Sequence, residues 1–268
     1  MKELNSTVTQ IIQISQSMRI IRVAPNDWEL PNFEAGQFVS LALPGSTERC
    51  ASATEEFKAQ DPDKLVRRAY SIASSSKEKQ YVEFYITLVR AGSLTPRIFN
   101  LEVGDHVEMG KRFVGMFTLD QVPEDKNVVL IATGTGVAPY MSMLRTDALK
   151  QNRKLIVIHG ASNSWDLGYS SELQLLESIA DNFSYIPTIT EPEKEKGRWV
   201  GETQFVEEIW KDGSVGKALD YEVTAENTHI FMCGNPAMIK SMTELLEPAG
   251  FSEHTKKNPG NIHVEKFF

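Results

Sequence analysis

The sequence predicts two domains of different class, an N-terminal antiparallel β-barrel and then an α/β doubly wound parallel-sheet domain. Three observations carry this. A chain of 268 residues is longer than one hydrophobic core usually organises. From about residue 8 to residue 109, short stretches of period-two apolar alternation are separated by Gly- and Pro-containing turns, the mark of antiparallel strands. After Asp120 the rhythm changes to continuous apolar runs that alternate with helical stretches, which implies a parallel sheet covered on both faces. The polar connector Pro123-Glu124-Asp125-Lys126 places the boundary, so the expected domains are residues 1–122 and 123–268.

Within the first domain, residues 20–23 and 38–43 read as strands, and Val82, Phe84, Ile86 and Leu88 alternate along a third. Residues 95–101 predict a short helix, with Pro96 in its first turn. Residues 44–66, with a charged run from Glu55 to Lys64, make a loop well beyond the usual length of about 4–6 residues, and this loop is expected to be mobile. In the second domain, residues 128–132, 155–159 and 230–233 read as buried strands. Residues 138–149, 171–179 and 236–246 read as helices.

Composition narrows the class. Hydrophobic residues at 41% and charged residues at 24% suit a globular enzyme. No apolar run approaches the roughly 18–20 residues of a membrane helix, and the first residues lack the apolar stretch of a secretory signal. A cytoplasmic protein with no membrane contact is the expectation. The net charge of −8 argues against nucleic acid as a partner. Cys50 and Cys233 form neither a metal-ligand pattern nor a disulfide framework. His106, His159, His229, His254 and His263 lack ligand spacing and read as structural, so no metal site is expected.

Several short strings have chemical potential. Arg68-Ala69-Tyr70-Ser71, on a strand, offers a guanidinium that can clamp a diphosphate, an aromatic ring and a hydroxyl. Gly92-Ser93-Leu94-Thr95 follows a strand and opens the short helix, where backbone N–H groups can meet a phosphate. Gly134-Thr135-Gly136-Val137-Ala138-Pro139 follows the first strand of the α/β domain. Its glycines let a pyrophosphate approach the backbone, and Pro139 suits a first helical turn. Cys233-Gly234-Asn235-Pro236 ends another strand at the carboxyl edge, where open sheets bind ligands. The sequence finishes Val264-Glu265-Lys266-Phe267-Phe268, an apolar end whose rings need something to cover.

In this order and spacing, the strings resemble the ferredoxin/flavodoxin–NADP reductase family of bacterial type, over nearly the whole chain. The resemblance implies an FAD-dependent oxidoreductase in which NADPH gives hydride to the flavin, and the flavin gives single electrons to ferredoxin or flavodoxin. It assigns Arg68, Ala69, Tyr70 and Ser71 to the flavin and Gly92, Ser93, Leu94 and Thr95 to its pyrophosphate. Gly134, Thr135, Gly136 and Gly234 fall to the NADP(H) site. Ser71, Cys233 and Glu265 would line the reacting edge, Cys233 against the nicotinamide and Glu265 as a proton relay or nicotinamide contact. Phe267 would stack on the flavin ring and Phe268 over the adenine of a bent FAD.

The choice of nucleotide rests on Ser162, after the second strand of the sheet, and on Arg198, both suited to a 2′-phosphate. Glu191 opposes them, since a carboxylate there repels a phosphate or binds a free ribose hydroxyl. The expectation is NADPH. Two other readings compete: an NADH-preferring reductase of the same architecture serving an oxygenase, and a non-catalytic flavin- or nucleotide-binding module. Two isolated cysteines are too few for the fused iron–sulfur domain common in the first. Arg49, Lys58, Lys64 and Arg67 are candidates for docking an acidic carrier.

Overall fold

The computed structural model describes residues 4–266. They form two compact units, residues 4–118 with Ala138–Thr146, and the remainder from residue 119 onward.

The first unit is an antiparallel sheet of β1 (Ser6–Ser15), β2 (Met18–Pro25), β3 (Phe38–Pro44), β4 (Leu65–Ser71), β5 (Val82–Thr87) and β6 (His106–Met109). Their order is β4-β3-β6-β1-β2-β5. The edge strands meet where Ala73 N–H, just past β4, donates to the Glu83 carbonyl of β5 at 2.8 Å. Val8, Ile21, Val23, Leu41, Leu43, Phe84, Ile86, Val107 and Met109 fill the interior. In β5 the alternating apolar residues point into this core, yet Glu83 between them is also buried, at 2% exposure. Its carboxylate takes Arg22 Nε at 2.7 Å and Arg145 Nη1 at 2.6 Å. Arg145 belongs to the helix α2 (Ala138–Thr146), and Ser142 of the same helix donates to the Ser74 carbonyl at 2.7 Å. These bonds explain why α2 groups with the barrel.

The long loop differs from its expectation of mobility, because two arginines tie down its first half. Arg49 donates to the Thr54 carbonyl at 2.7 Å and the Arg90 carbonyl at 2.8 Å. Arg97, 4% exposed, pairs with Glu56 at 2.7 Å and donates to the Gly45 carbonyl at 2.6 Å. Backbone bonds from Thr54 to Arg90 and from Phe57 to Ala91, both 3.1 Å, complete the seam. Charge that reads as solvated in the sequence is spent on satisfying carbonyls. Arg97 lies in the short helix α1 (Thr95–Ile98).

The second unit is a parallel sheet of β7 (Asn127–Thr133), β8 (Leu155–Ala161), β9 (Phe183–Ile189), β10 (Thr228–Cys233) and β11 (Ile262–Glu265), ordered β11-β10-β7-β8-β9. Val128, Val129, Leu130, Ile131 and Ala132 are all fully buried, so the central strand is covered on both faces, as its unbroken apolar run requires. The helices are α3 (Ser170–Ile179), α4 (Val206–Lys211), α5 (Ser214–Leu219) and α6 (Pro236–Leu246). The chain builds outward from β7 through β8 to β9, then returns to the other side of β7 as β10. This reversal leaves a crevice at the carboxyl ends of β7 and β10. Among the described residues, no helix is long and apolar enough to cross a membrane, and no group of three His, Cys, Asp or Glu side chains is placed to hold a metal ion.

Three of the histidines form a stack at the opposite end of the sheet. His263 lies 4.2 Å from the Phe231 ring, with His229 and His254 at 5.3 and 4.8 Å between centroids. His229 Nδ1 and His263 Nε2 share a hydrogen bond of 2.9 Å. Burial, reinforced by the neighbouring imidazoles, pushes His263 down to about 3, and burial lowers His229 as well. Imidazoles kept neutral in the fold take up protons in the unfolded chain below about pH 6.5, so their contribution is present above that pH and is lost as pH falls toward the folded values. We expect the urea midpoint of His263→Phe, which keeps a stacked ring, to fall less steeply than wild type between about pH 6.5 and 4. Parallel pH profiles of the two proteins would contradict this.

Candidate functional site

The crevice of the second unit is shaped by two turns. Gly134–Val137 follows β7 as a single tight turn, and Cys233 and Gly234 follow β10. A Cβ on Gly136 would stand 2.2 Å from the Cys233 carbonyl oxygen, and one on Gly234 would stand 2.3 Å from Thr133 Oγ1. Gly234 also has φ +131° and Gly134 φ +53°, backbone that favours glycine. Thr133 joins the turns, its hydroxyl accepting the Asn235 N–H at 2.7 Å. Asn235 in turn caps α6 by accepting the Ala237 N–H at 2.8 Å.

Register brings the remaining candidates of this unit to the same edge. Cys233 pairs with Ala132 of β7 and with Glu265 of β11, so Cys233 and Glu265 project from the same face of the sheet. Both are buried, at 1% and 8% exposure. Burial, then the nearby Glu265 carboxylate, raises the Cys233 thiol well above its ordinary value, so it stays protonated and is no nucleophile. His159 of β8, fully buried and lowered to about 4 by desolvation, donates Nε2–H to the Gly134 carbonyl at 2.8 Å. Tyr185 Oη lies 3.5 Å from its Nδ1. A neutral imidazole therefore braces the glycine turn from beneath.

Ser162 lies just beyond β8 and is exposed. Its carbonyl accepts the Glu191 N–H at 2.9 Å, and Asn163 Nδ2 donates to the Glu191 carbonyl at 3.1 Å. These bonds join the segments that leave β8 and β9. Arg198 is exposed and makes no ion pair among the described residues.

In the first unit, Arg68 and Tyr70 share one face of the edge strand β4, opposite Leu41 and Val39 of β3. Arg68 and Ala69 are exposed and Ser71 is 8% exposed. Tyr70 packs edge-on to Phe84 at 6.3 Å. Its hydroxyl is buried with no hydrogen-bond partner among the described residues, and burial raises its pKa far enough to keep it a donor. The loop that begins at Gly92 is anchored from behind, where Arg97 holds the Ser93 carbonyl. The Thr95 hydroxyl is already engaged with Val89 N–H and carbonyl, at 2.9 and 3.2 Å. The Ser93, Leu94 and Thr95 N–H groups have no acceptor among the described residues. Phe267 and Phe268 lie outside the described residues.

Two family models match the chain. The oxidoreductase FAD-binding domain family matches residues 5–112, and the oxidoreductase NAD-binding domain family matches residues 130–244. A flavodoxin/ferredoxin–NADP reductase of Buchnera aphidicola subsp. Baizongia pistaciae is 31% identical over 207 residues, 76% of this chain and 82% of that protein. The chain belongs to the flavodoxin/ferredoxin–NADP reductase family. The Escherichia coli reductase of that name is also 31% identical, over 78% of this chain and 76% of its own. The fold matches a ferredoxin NADP+ reductase from Neisseria gonorrhoeae, solved with FAD and NADP, with a TM-score of 0.80 at 23% identity over 97% of each chain. The chain is accordingly a flavoprotein oxidoreductase with an FAD-binding and a nicotinamide-nucleotide-binding domain.

The residues present fit a flavin nucleotide. An orphaned phenol, an outward guanidinium and three N–H groups without acceptors form a donor set suited to a ribityl diphosphate. Sequence reasoning missed Thr133 and the bond that ties Asn235 back to it, while His159, read as structural, braces the glycine turn. Thr133 was adjacent to the glycine string, but only the return of β10 beside β7 gives its hydroxyl a purpose. We expect Gly136→Ala to force the two turns apart, lowering stability by roughly 1–3 kcal/mol and weakening NADP+ binding more than FAD retention. Wild-type NADP+ affinity in that variant would show that the turns tolerate a side chain.

Proposed function

We propose that this reductase carries electrons from NADPH to a one-electron protein carrier, ferredoxin or flavodoxin, in the cytoplasm. In this reading residues 1–122 hold FAD and residues 123–268 hold the nicotinamide nucleotide. FAD, when bound, supplies the exchange between a two-electron donor and one-electron acceptors. The observation that carries the reading is the Tyr70 hydroxyl, buried beside a strand edge with no protein partner.

Each named residue then has a physical task. Arg68 clamps the diphosphate, Tyr70 lays its ring against the flavin and donates its hydroxyl, and the Ser93, Leu94 and Thr95 N–H groups take phosphate oxygens. Ser71 offers a hydroxyl at the end of β4. Gly134, Thr135, Gly136 and Gly234 let the nucleotide pyrophosphate lie close to the backbone, and Ser162 and Arg198 contact its ribose phosphate. Cys233, held as a neutral thiol, gives an uncharged wall for the nicotinamide, with Glu265 beside it as a proton relay or amide contact. Phe267 and Phe268 are assigned to the flavin and adenine rings.

The carrier docks on the barrel. Arg49 is withdrawn from this role by its bonds to the Thr54 and Arg90 carbonyls, which leaves the exposed Lys58, Lys64 and Arg67 to attract an acidic partner.

Two experiments test the reading. Tyr70→Ala should weaken FAD binding roughly tenfold, in line with about 1.4 kcal/mol of stacking and hydrogen bonding, and Tyr70→Phe should recover part of it. Flavin content equal to wild type in both would remove Tyr70 from the cofactor. Reversing charge at Lys64 and Arg67 should slow NADPH-driven reduction of ferredoxin or flavodoxin and flatten its salt dependence, leaving reduction of a small dye unchanged. Equal losses with both acceptors would refute the docking face.

A further inference from the structure

The ends of β8 and β9 carry a feature that the NADPH reading does not use. Three residues past β8, Ser164 donates its N–H to Glu195 Oε1 at 2.7 Å and its hydroxyl to Glu195 Oε2 at 2.6 Å. Both carboxylate oxygens are thus satisfied by one serine, in charge-assisted geometry. Glu195 makes no ion pair among the described residues. Nearby, Lys194 is taken up by Glu191 at 2.8 Å, while Arg198 and Lys196 remain exposed and without an ion pair.

In a doubly wound sheet the segment after the second strand meets the adenosine ribose, with a carboxylate for a free 2′-hydroxyl or cations for a 2′-phosphate. Here the order β11-β10-β7-β8-β9 makes β8 that strand. The Glu191 N–H bond to the Ser162 carbonyl and the Asn163 side-chain amide bond to the Glu191 carbonyl hold the β9 exit against it. The Ser164 N–H and hydroxyl are donors suited to a phosphate, and a fixed carboxylate already occupies them.

We propose that Glu195 competes with the 2′-phosphate for Ser164, so that this reductase uses NADH nearly as well as NADPH and Glu195 sets the balance. The inference rests on the assignment of this crevice to the nicotinamide nucleotide. A phosphate arriving beside Ser164 meets like charge and finds its hydrogen bonds taken, and this offsets what Arg198 and Ser162 contribute. A free ribose hydroxyl meets no such opposition and can itself donate to a carboxylate. Glu195 is a specificity-determining residue and takes no part in electron transfer.

The test uses the FAD-loaded protein and two fragments, 2′,5′-ADP and ADP, whose binding is measured by calorimetry. Wild type should bind them with affinities within roughly tenfold of each other, and kcat/KM for NADPH and NADH should differ by a similar factor. Glu195→Gln, which keeps the shape and removes the charge, and Glu195→Ala should both tighten 2′,5′-ADP by roughly tenfold with ADP unchanged. Two results would overturn the proposal: a wild-type preference for 2′,5′-ADP well beyond tenfold, or variants in which both fragments shift together, as loss of a purely structural clamp would cause. If neither fragment binds wild type while FAD stays bound, the assignment of the crevice itself fails, and the inference with it.

Discussion

Everything at the carboxyl edge of the parallel sheet depends on how closely two backbone turns approach. The Cys233 carbonyl occupies the space that a Gly136 side chain would need, and Thr133 occupies the space beside Gly234. Only glycine permits this contact. Thr133 closes it with one hydrogen bond to Asn235, and His159 supports it through the Gly134 carbonyl. The glycines therefore serve the packing of one turn on the other first, and the nucleotide approaches a surface that this packing has already shaped.

The polar groups around the two half-sites are kept in defined protonation states by burial. Desolvation holds His159 neutral, so it can donate to a carbonyl without placing a cation beside the crevice. The same effect keeps Cys233 and Tyr70 protonated. The described residues thus present donors, acceptors and apolar walls, with Cys233 held as a neutral thiol, as suits an enzyme whose chemistry belongs to its cofactors. Among the described residues of the barrel, the buried charges Glu83 and Arg97 are both paired. Glu83 lies between Arg22 and Arg145, and Arg97 is matched by Glu56. Removing one partner of such a set leaves an uncompensated charge, which makes these pairs costly to break.

Much of this was legible in the sequence where local chemistry and tertiary environment agree. The bounds of α6, Pro236–Leu246, follow from Asn235 as cap and Pro236 at the first turn. The central strand β7 follows from its apolar run, and both glycine strings lie where ligands approach such sheets. Other features needed contacts distant in sequence. The strand β11 has only four residues and gains its identity from pairing with β10. The helices α4 and α5 are six residues each, divided by Gly213 at φ +77°, too short for a clear helical period. The long loop looked mobile because the bonds that tie it down join residues distant in sequence, Arg49 to the Arg90 carbonyl and Arg97 of α1 to the Gly45 carbonyl. Glu195 gave no signal at all, since its role depends on the β9 exit folding back on Ser164.

The central claim is that this chain moves electrons from a nicotinamide nucleotide through FAD to a protein carrier. Its most direct test is to mix the anaerobic, FAD-loaded protein with NADPH in a stopped-flow instrument, then add oxidised ferredoxin or flavodoxin. The account predicts rapid bleaching of the flavin absorbance and its recovery as the carrier is reduced. Flavin absorbance unchanged by either NADPH or NADH would contradict it and leave a nucleotide-binding module in place of an enzyme.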